Sequence, residues 1–326
     1  MITRRKLLVG CGAAAIAAPV VSLAQQPSAK LHRIGFLGPT SAAAMASRLE
    51  GLRVGLRDLG YVEGKNLIIE FRWAEGNYDR LPALAAELVR LKVDVIVTHS
   101  VPGARAAKQA TKTIPIVFAP VGDAVAEGLV ASLARPGGNI TGSSFFLPEL
   151  NAKRLELLKE AFPRIRRIAV LFNSNNPAAP LPAMEAAAAS LKVELQQFGV
   201  RSPNEFDDAF AAMIKRGAEA VAINDDPMLI ANVGMAGSLA ARHRIPSIGF
   251  IELAEAGGLM AYGVNLAAMA RSAAVLVDKI LKGANPGELP IERATTFDLV
   301  LNRKAAKALG ITIPQSILVR ADRVIE

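Results

Sequence analysis

Cysteine is nearly absent: the single one, Cys11, sits close to the N-terminus. If the leader that holds it is removed, the remaining chain has neither disulfide nor thiol chemistry. Histidine is scarce too. His32, His99 and His243 lie far apart, and none has a companion at HxH or HxxxH spacing. That pattern predicts no metal site, and no cofactor is expected. There is no GxxxxGK[ST] phosphate loop; the run Gly60-Tyr61-Val62-Glu63-Gly64-Lys65-Asn66 has the wrong spacing and no hydroxyl. No GxSxG nucleophile elbow occurs. Beyond residue 24 no apolar run is long enough to span a bilayer. The formal net charge is +9, yet the basic residues are scattered and not interleaved with aromatics, which excludes nucleic acid as an expected partner. These absences predict a protein that is not an enzyme and has no catalytic residues.

What is present begins with an export pattern. Thr3-Arg4-Arg5-Lys6 is a basic head, Leu7 to Val21 an apolar stretch, and Ser22-Leu23-Ala24 a small-residue cleavage site. Residues 1–24 therefore read as a signal peptide cleaved near Ala24, which places the mature protein in the periplasm. The paired arginines leave the twin-arginine and general secretory routes both open. Cleavage lowers the net charge from +9 to +6, because Arg4, Arg5 and Lys6 leave with no acid.

From residue 31 onward, aliphatic runs alternate with Ala/Leu-rich helical stretches. Strands are expected over Arg33–Leu37, Asn66–Phe71, Val93–Thr98, Ile114–Phe118, Arg167–Phe172, Lys192–Phe198, Ala220–Ile223, Pro246–Ile248 and Leu259–Tyr262, with a further one over Thr295–Leu301. The intervening helices include Ala42–Leu59, Ala104–Thr111, Ala126–Leu133, Ala152–Ala161 and Leu266–Leu281. Strands without internal alternation, separated by helices, indicate an α/β class with parallel sheets buried on both faces. A break near Arg135-Pro136-Gly137-Gly138-Asn139 divides the series into two sheets of about four or five strands each. The expected organisation is two doubly wound lobes joined by a hinge: residues 31–145 with 264–290, and residues 146–263 with 291–326, a ligand cleft lying between them.

In open parallel sheets ligands bind beyond the carboxyl ends of the strands. The residues there are short and polar in both halves. Thr40 and Ser41 follow the first strand and can cap a helix whose N-terminus favours a carboxylate. Ser100 follows the third strand. Asp123 follows the fourth, and can take an ammonium group or cap the helix beyond it. In the second half, Asn173 and Ser174, then Asn224 and Asp225, stand before prolines at strand ends. Trp73 and Tyr262 offer rings with polar tips for the rim. These ten residues are the candidate ligand-binding set, with Asp225 a second candidate for an ammonium.

Several runs carry a family resemblance: Gly128-Leu129-Val130-Ala131-Ser132-Leu133-Ala134-Arg135-Pro136-Gly137-Gly138-Asn139-Ile140-Thr141-Gly142, Phe71-Arg72-Trp73-Ala74-Glu75-Gly76, Lys153-Arg154-Leu155-Glu156-Leu157-Leu158-Lys159-Glu160 and Ala256-Gly257-Gly258-Leu259-Met260-Ala261-Tyr262-Gly263. In these the chain resembles the ABC-transporter substrate-binding family that includes tryptophan/tyrosine-type receptors. The resemblance implies a type 1 periplasmic-binding-protein fold. It also implies a small-molecule ligand, such as an aromatic or other amino acid or an aromatic or aliphatic acid, and an ABC permease and its ATPase as partners of a monomeric receptor. The family pattern Gly-Asp-Pro-Val stands here as Gly122-Asp123-Ala124-Val125, and Asn224-Asp225-Asp226-Pro227 is more polar than its family counterpart, so ligand identity does not transfer. Two other readings are an exported sensor feeding a membrane kinase or chemoreceptor, and a transferase built on two Rossmann-like lobes.

Overall fold

The computed structural model describes residues 30–326, so the leader expected over 1–24 lies outside the described residues. The described strands are β1 (His32–Gly38), β2 (Leu67–Trp73), β3 (Val95–Thr98), β4 (Ile116–Val121), β5 (Ile140–Ser144), β6 (Arg167–Asn173), β7 (Glu194–Val200), β8 (Ala220–Ile223), β9 (Ser247–Gly249), β10 (Met260–Gly263), β11 (Glu292–Arg293), β12 (Asp298–Asn302) and β13 (Arg323–Ile325). They form a six-stranded sheet ordered β11-β5-β4-β3-β1-β2 and a seven-stranded sheet ordered β13-β12-β10-β9-β8-β6-β7. All pairings are parallel except that of β10 with β12. Both sheets exceed the expected size. The apolar periodicity passes over β5, which reads Ile-Thr-Gly-Ser-Ser, and over the two-residue β11.

Each sheet is buried on both faces, as uninterrupted aliphatic strands require. Along β3, Val95 and Val97 enter one cluster and Ile96 the opposite one. Along β8, Val221 and Ile223 face one cluster while Ala220 and Ala222 face the other. The chain passes between the sheets three times: after β5, after β10, and between β11 and β12. Because Glu292–Arg293 pairs with β5, the last passage falls at 294–297, whereas the sequence placed it at 290–291. The expected helix over Ala126–Leu133 is absent; that stretch forms turns, with Gly128 in the left-handed region at φ 64°.

The second passage returns helix Leu266–Leu281 to the first sheet, where it packs along helix Ala46–Asp58. Glycine makes the approach possible. A Cβ on Gly51 would stand 2.3 Å from the Ala267 carbonyl oxygen, and one on Gly55 2.4 Å from that of Arg271. Neither obstacle is a side chain that can swing aside. Gly55→Ala gains up to about 1 kcal/mol of helix propensity, but overpacking costs about 1–3 kcal/mol. A lower melting temperature, by at least a few degrees, is expected in thermal denaturation; a higher one would show that the helices separate freely.

Candidate functional site

Between the lobes, beyond the carboxyl ends of β3, β4, β6 and β8, lies a cavity of about 330 Å³. His99, Ser100, Pro120 and Asp123 line it from one side, and Asn176, Pro180, Asp225 and Ile230 from the other. Phe145 and Leu266, beside two of the passages, complete an otherwise mainly aliphatic wall. A wider opening of about 750 Å³ between the lobes is bordered by Thr40, Ser41, Glu75, Asn77, Asn175 and Arg201. Thr40 and Ser41 thus border a different opening from Ser100 and Asp123.

Three of the candidate side chains carry buried polar atoms without a partner in the protein: Thr40 Oγ1, Ser100 Oγ, and both amide atoms of Asn224. An unmatched buried group costs about 1–3 kcal/mol, so such atoms call for an explanation. Asn224 borders a small recess with Asn176 and Asp225, which also line the cleft. Ser100 begins helix Ser100–Ala110 at φ 69°, a left-handed conformation unusual for a residue with a side chain. Asp123 accepts from the Val125 and Ala126 N–H groups through Oδ1, at 3.1 and 2.9 Å; it caps the following turn and keeps Oδ2 for the cleft.

Other candidates are committed elsewhere. Asp225 is ion-paired with Arg154, whose guanidinium is wholly buried and also donates to Tyr262 O (2.8 Å) and Asn151 Oδ1 (3.2 Å). Its charge is already matched by that cation. Asn173 donates to Asp226 at 3.0 Å and accepts from the Asn175 N–H at 2.9 Å. Ser174 is exposed and its hydroxyl lies over Gly199 of β7. Trp73 is not on a loop: β2 extends through it, opposite Gly38, and its ring stacks on Phe71 at 5.7 Å. The missing side chain of Gly38 makes room, for a Cβ there would meet the indole at 2.2 Å. The Tyr262 ring packs against Phe297 at 6.0 Å.

Five polar residues that sequence reasoning missed as site residues also belong here. Arg48 approaches Glu252 of the opposite lobe at 3.6 Å, with Arg48 Nε and Glu252 Oε2 unmatched. Tyr78 bonds Asp226 across the cleft, and Asn176 donates to the same carboxylate at 2.9 Å. Burial pushes the Asp226 carboxyl up, against the pull of its hydrogen bonds. Burial also raises Glu252, with Arg48 opposing. A signal for Arg48 existed: it lies beside the stripe Met45, Leu49, Leu52, Leu56, so a charge borders a buried helix face. For Tyr78 there was none.

Burial, followed by the nearby Arg48 cation, lowers His99 to about 3. The ring is therefore neutral, and its Nδ1–H donates to the Ala119 carbonyl at 3.1 Å. Unfolded, the same ring takes its proton near 6.5. Between these values the unfolded state binds more protons, so His99 makes stability fall as the pH drops through that window. In His99→Asn the amide keeps the bond to Ala119. The loss of melting temperature between about pH 7 and about pH 4 is expected to be smaller than in the wild type; Asp226 and Glu252 are common to both proteins and do not affect the difference. Equal losses would contradict a buried neutral ring.

Residues 33–325 match the family model described as ABC transporter substrate binding protein. A curated relative, the tyrosine-binding protein of Clostridioides difficile, is 28% identical over 287 residues, 87% of this chain and 82% of that protein. Among solved structures, a Streptococcus pneumoniae ABC domain in complex with L-Trp is 27% identical with a TM-score of 0.84, covering 91% of this chain and all of that one. A ligand-free, open substrate-binding protein with adhesive properties from Clostridium difficile is 26% identical and covers 90% and 99%, but its TM-score is 0.65. At nearly equal identity the TM-score is higher for the ligand-bound structure. The fold is that of a type 1 periplasmic binding protein. The chain belongs to the ABC transporter substrate-binding protein family.

Proposed function

We propose that the protein is the extracytoplasmic receptor of an ABC importer, capturing an amino acid with an apolar side chain by closing two lobes on it, without chemistry. The observation that carries this reading is a set of unmatched buried polar atoms, Ser100 Oγ on one lobe and the Asn224 amide on the other, at strand ends that meet across an aliphatic cavity. A ligand satisfying both lobes binds the closed state better than the open one, and that difference drives closure. The ligand carboxylate is assigned to Ser100 and the start of its helix, where unpaired N–H groups and the helix dipole favour an anion. The ammonium is assigned to Asp123, the one cleft acid among the described residues without a cationic partner, since Arg105 pairs Glu127 and Arg154 pairs Asp225. Asn224 completes the bonds from the second lobe. The side chain lies among Phe145, Leu147, Pro180, Ile230 and Leu266. The tyrosine-binding and L-Trp-bound relatives support an aromatic amino acid, while the aliphatic wall also suits a branched or linear one. The permease and ATPase are the partners, the receptor is a monomer, and residues 1–24 direct its export to the periplasm.

Isothermal titration and thermal-shift measurements on residues 25–326 test this. One aromatic or aliphatic L-amino acid is expected to raise the melting temperature by mass action. Asn224→Ala should weaken its binding by about tenfold to a hundredfold, as losing a buried hydrogen bond to ligand implies. Asp123→Asn should weaken the amino acid but leave its deaminated acid analogue unaffected. Stabilisation by sugar phosphates or nucleotides alone would refute the assignment.

A further inference from the structure

Asp226 is nearly inaccessible to water and its carboxylate collects four donors. Three come from its own lobe: Asn173 Nδ2 at 3.0 Å, Asn176 Nδ2 at 2.9 Å and the Met228 N–H at 2.9 Å. The fourth crosses the cleft. Tyr78, on a turn of 3-10 helix following β2 of the first lobe, directs its hydroxyl at both carboxylate oxygens, at 3.1 and 3.2 Å. The contact lies at the divide between the two openings. Asn77, next to Tyr78, and Met228 border the wider one, while Asn176 lines the ligand cleft. Neither Tyr78 nor Asp226 lines the ligand cleft itself.

We infer that Tyr78 and Asp226 form a closure latch, a pair of positioning residues that hold the lobes together without touching ligand. The asymmetry of the four bonds makes the latch reversible. When the lobes part, the carboxylate keeps its three local donors and stays in place, and the phenol hydroxyl regains water. Only one hydrogen bond to a charged group is exchanged. Its strength sets the fraction of receptor that is closed before ligand arrives, and apparent affinity scales with that fraction. A latch of this kind changes the affinity for every ligand by one common factor. Contacts to the ligand side chain, such as those of Phe145 and Leu266, alter the ranking among ligands instead. The inference rests on the proposed receptor reading for its affinity consequences, but not for its structural ones.

The test is Tyr78→Phe, which removes the hydroxyl and keeps the ring, in the protein comprising residues 25–326. Small-angle scattering without ligand is expected to give a larger radius of gyration than wild type, with the melting temperature changed little. Titration with two ligands of different side chain should show both weakened by the same factor, about tenfold to a hundredfold, with the change in dissociation rate. Unchanged scattering would overturn the latch whatever the ligand proves to be. Unequal weakening of the two ligands would overturn it as well, by making Tyr78 a direct contact. Should no amino acid bind, the receptor reading fails, and the scattering of ligand-free protein still decides the latch.

Discussion

A guanidinium with no access to water fixes the centre of this molecule. Arg154 lies on helix Leu147–Ala161, just past the first passage between the lobes, and is fully buried. It reaches the carbonyl of Tyr262, just before the second passage, and the carboxylate of Asp225 on the loop after β8. Removing one partner of such a pair leaves a bare buried charge, at about 3–5 kcal/mol. The loop after β8 is therefore held where the pair needs it. With Asp225 turned to Arg154, the neighbours Asn224 and Asp226 have their positions set. Asn224 is left with an unmatched amide, and Asp226 faces Tyr78 across the cleft. Three consecutive residues thus carry a structural anchor, an unmatched buried amide and a contact between the lobes.

The cleft that results is sparing in charge. Its acids are already answered by Arg105 and Arg154, except for the second oxygen of Asp123. The one histidine in the lining is neutral. A low-dielectric, mainly aliphatic wall strengthens the few polar contacts that remain. On the proposed reading, such a site discriminates by where an ammonium and a carboxylate stand relative to each other, and by how much apolar volume lies beyond them. It gains little from a ligand with several charges.

Much of the fold was legible because buried parallel strands write themselves as aliphatic runs. Two lobes, the parallel sheets and the return of Leu266–Leu281 followed from that pattern. β5 was hidden because small and hydroxylic residues fill it, and its Gly142 passes within contact of the Phe118 backbone where no side chain would fit. The helix expected over Ala126–Leu133 failed on Gly128, a left-handed turn residue that outweighs the surrounding propensity. The site was legible only in part. Position after a strand selected Ser100, Asp123 and Asn224, which line the cleft or its recess. The same rule selected Asp225 and Asn173, which also border the cleft or its recess, but their partners Arg154 and Asp226 come from folding and cannot be read locally. Trp73 misled because its strand ran two residues beyond Phe71. Tyr78 and Glu252 acquire a role only once the lobes meet.

A crystal structure of the protein grown with its tightest-binding amino acid addresses the central claim, that one ligand joins both lobes in the narrower cleft, most directly. Density is expected between Ser100 and Asn224, with the carboxylate at the start of helix Ser100–Ala110, the ammonium at Asp123 and the side chain against Phe145 and Leu266. Density in the wider opening beside Thr40 and Arg201, or bonded to one lobe alone, would contradict it.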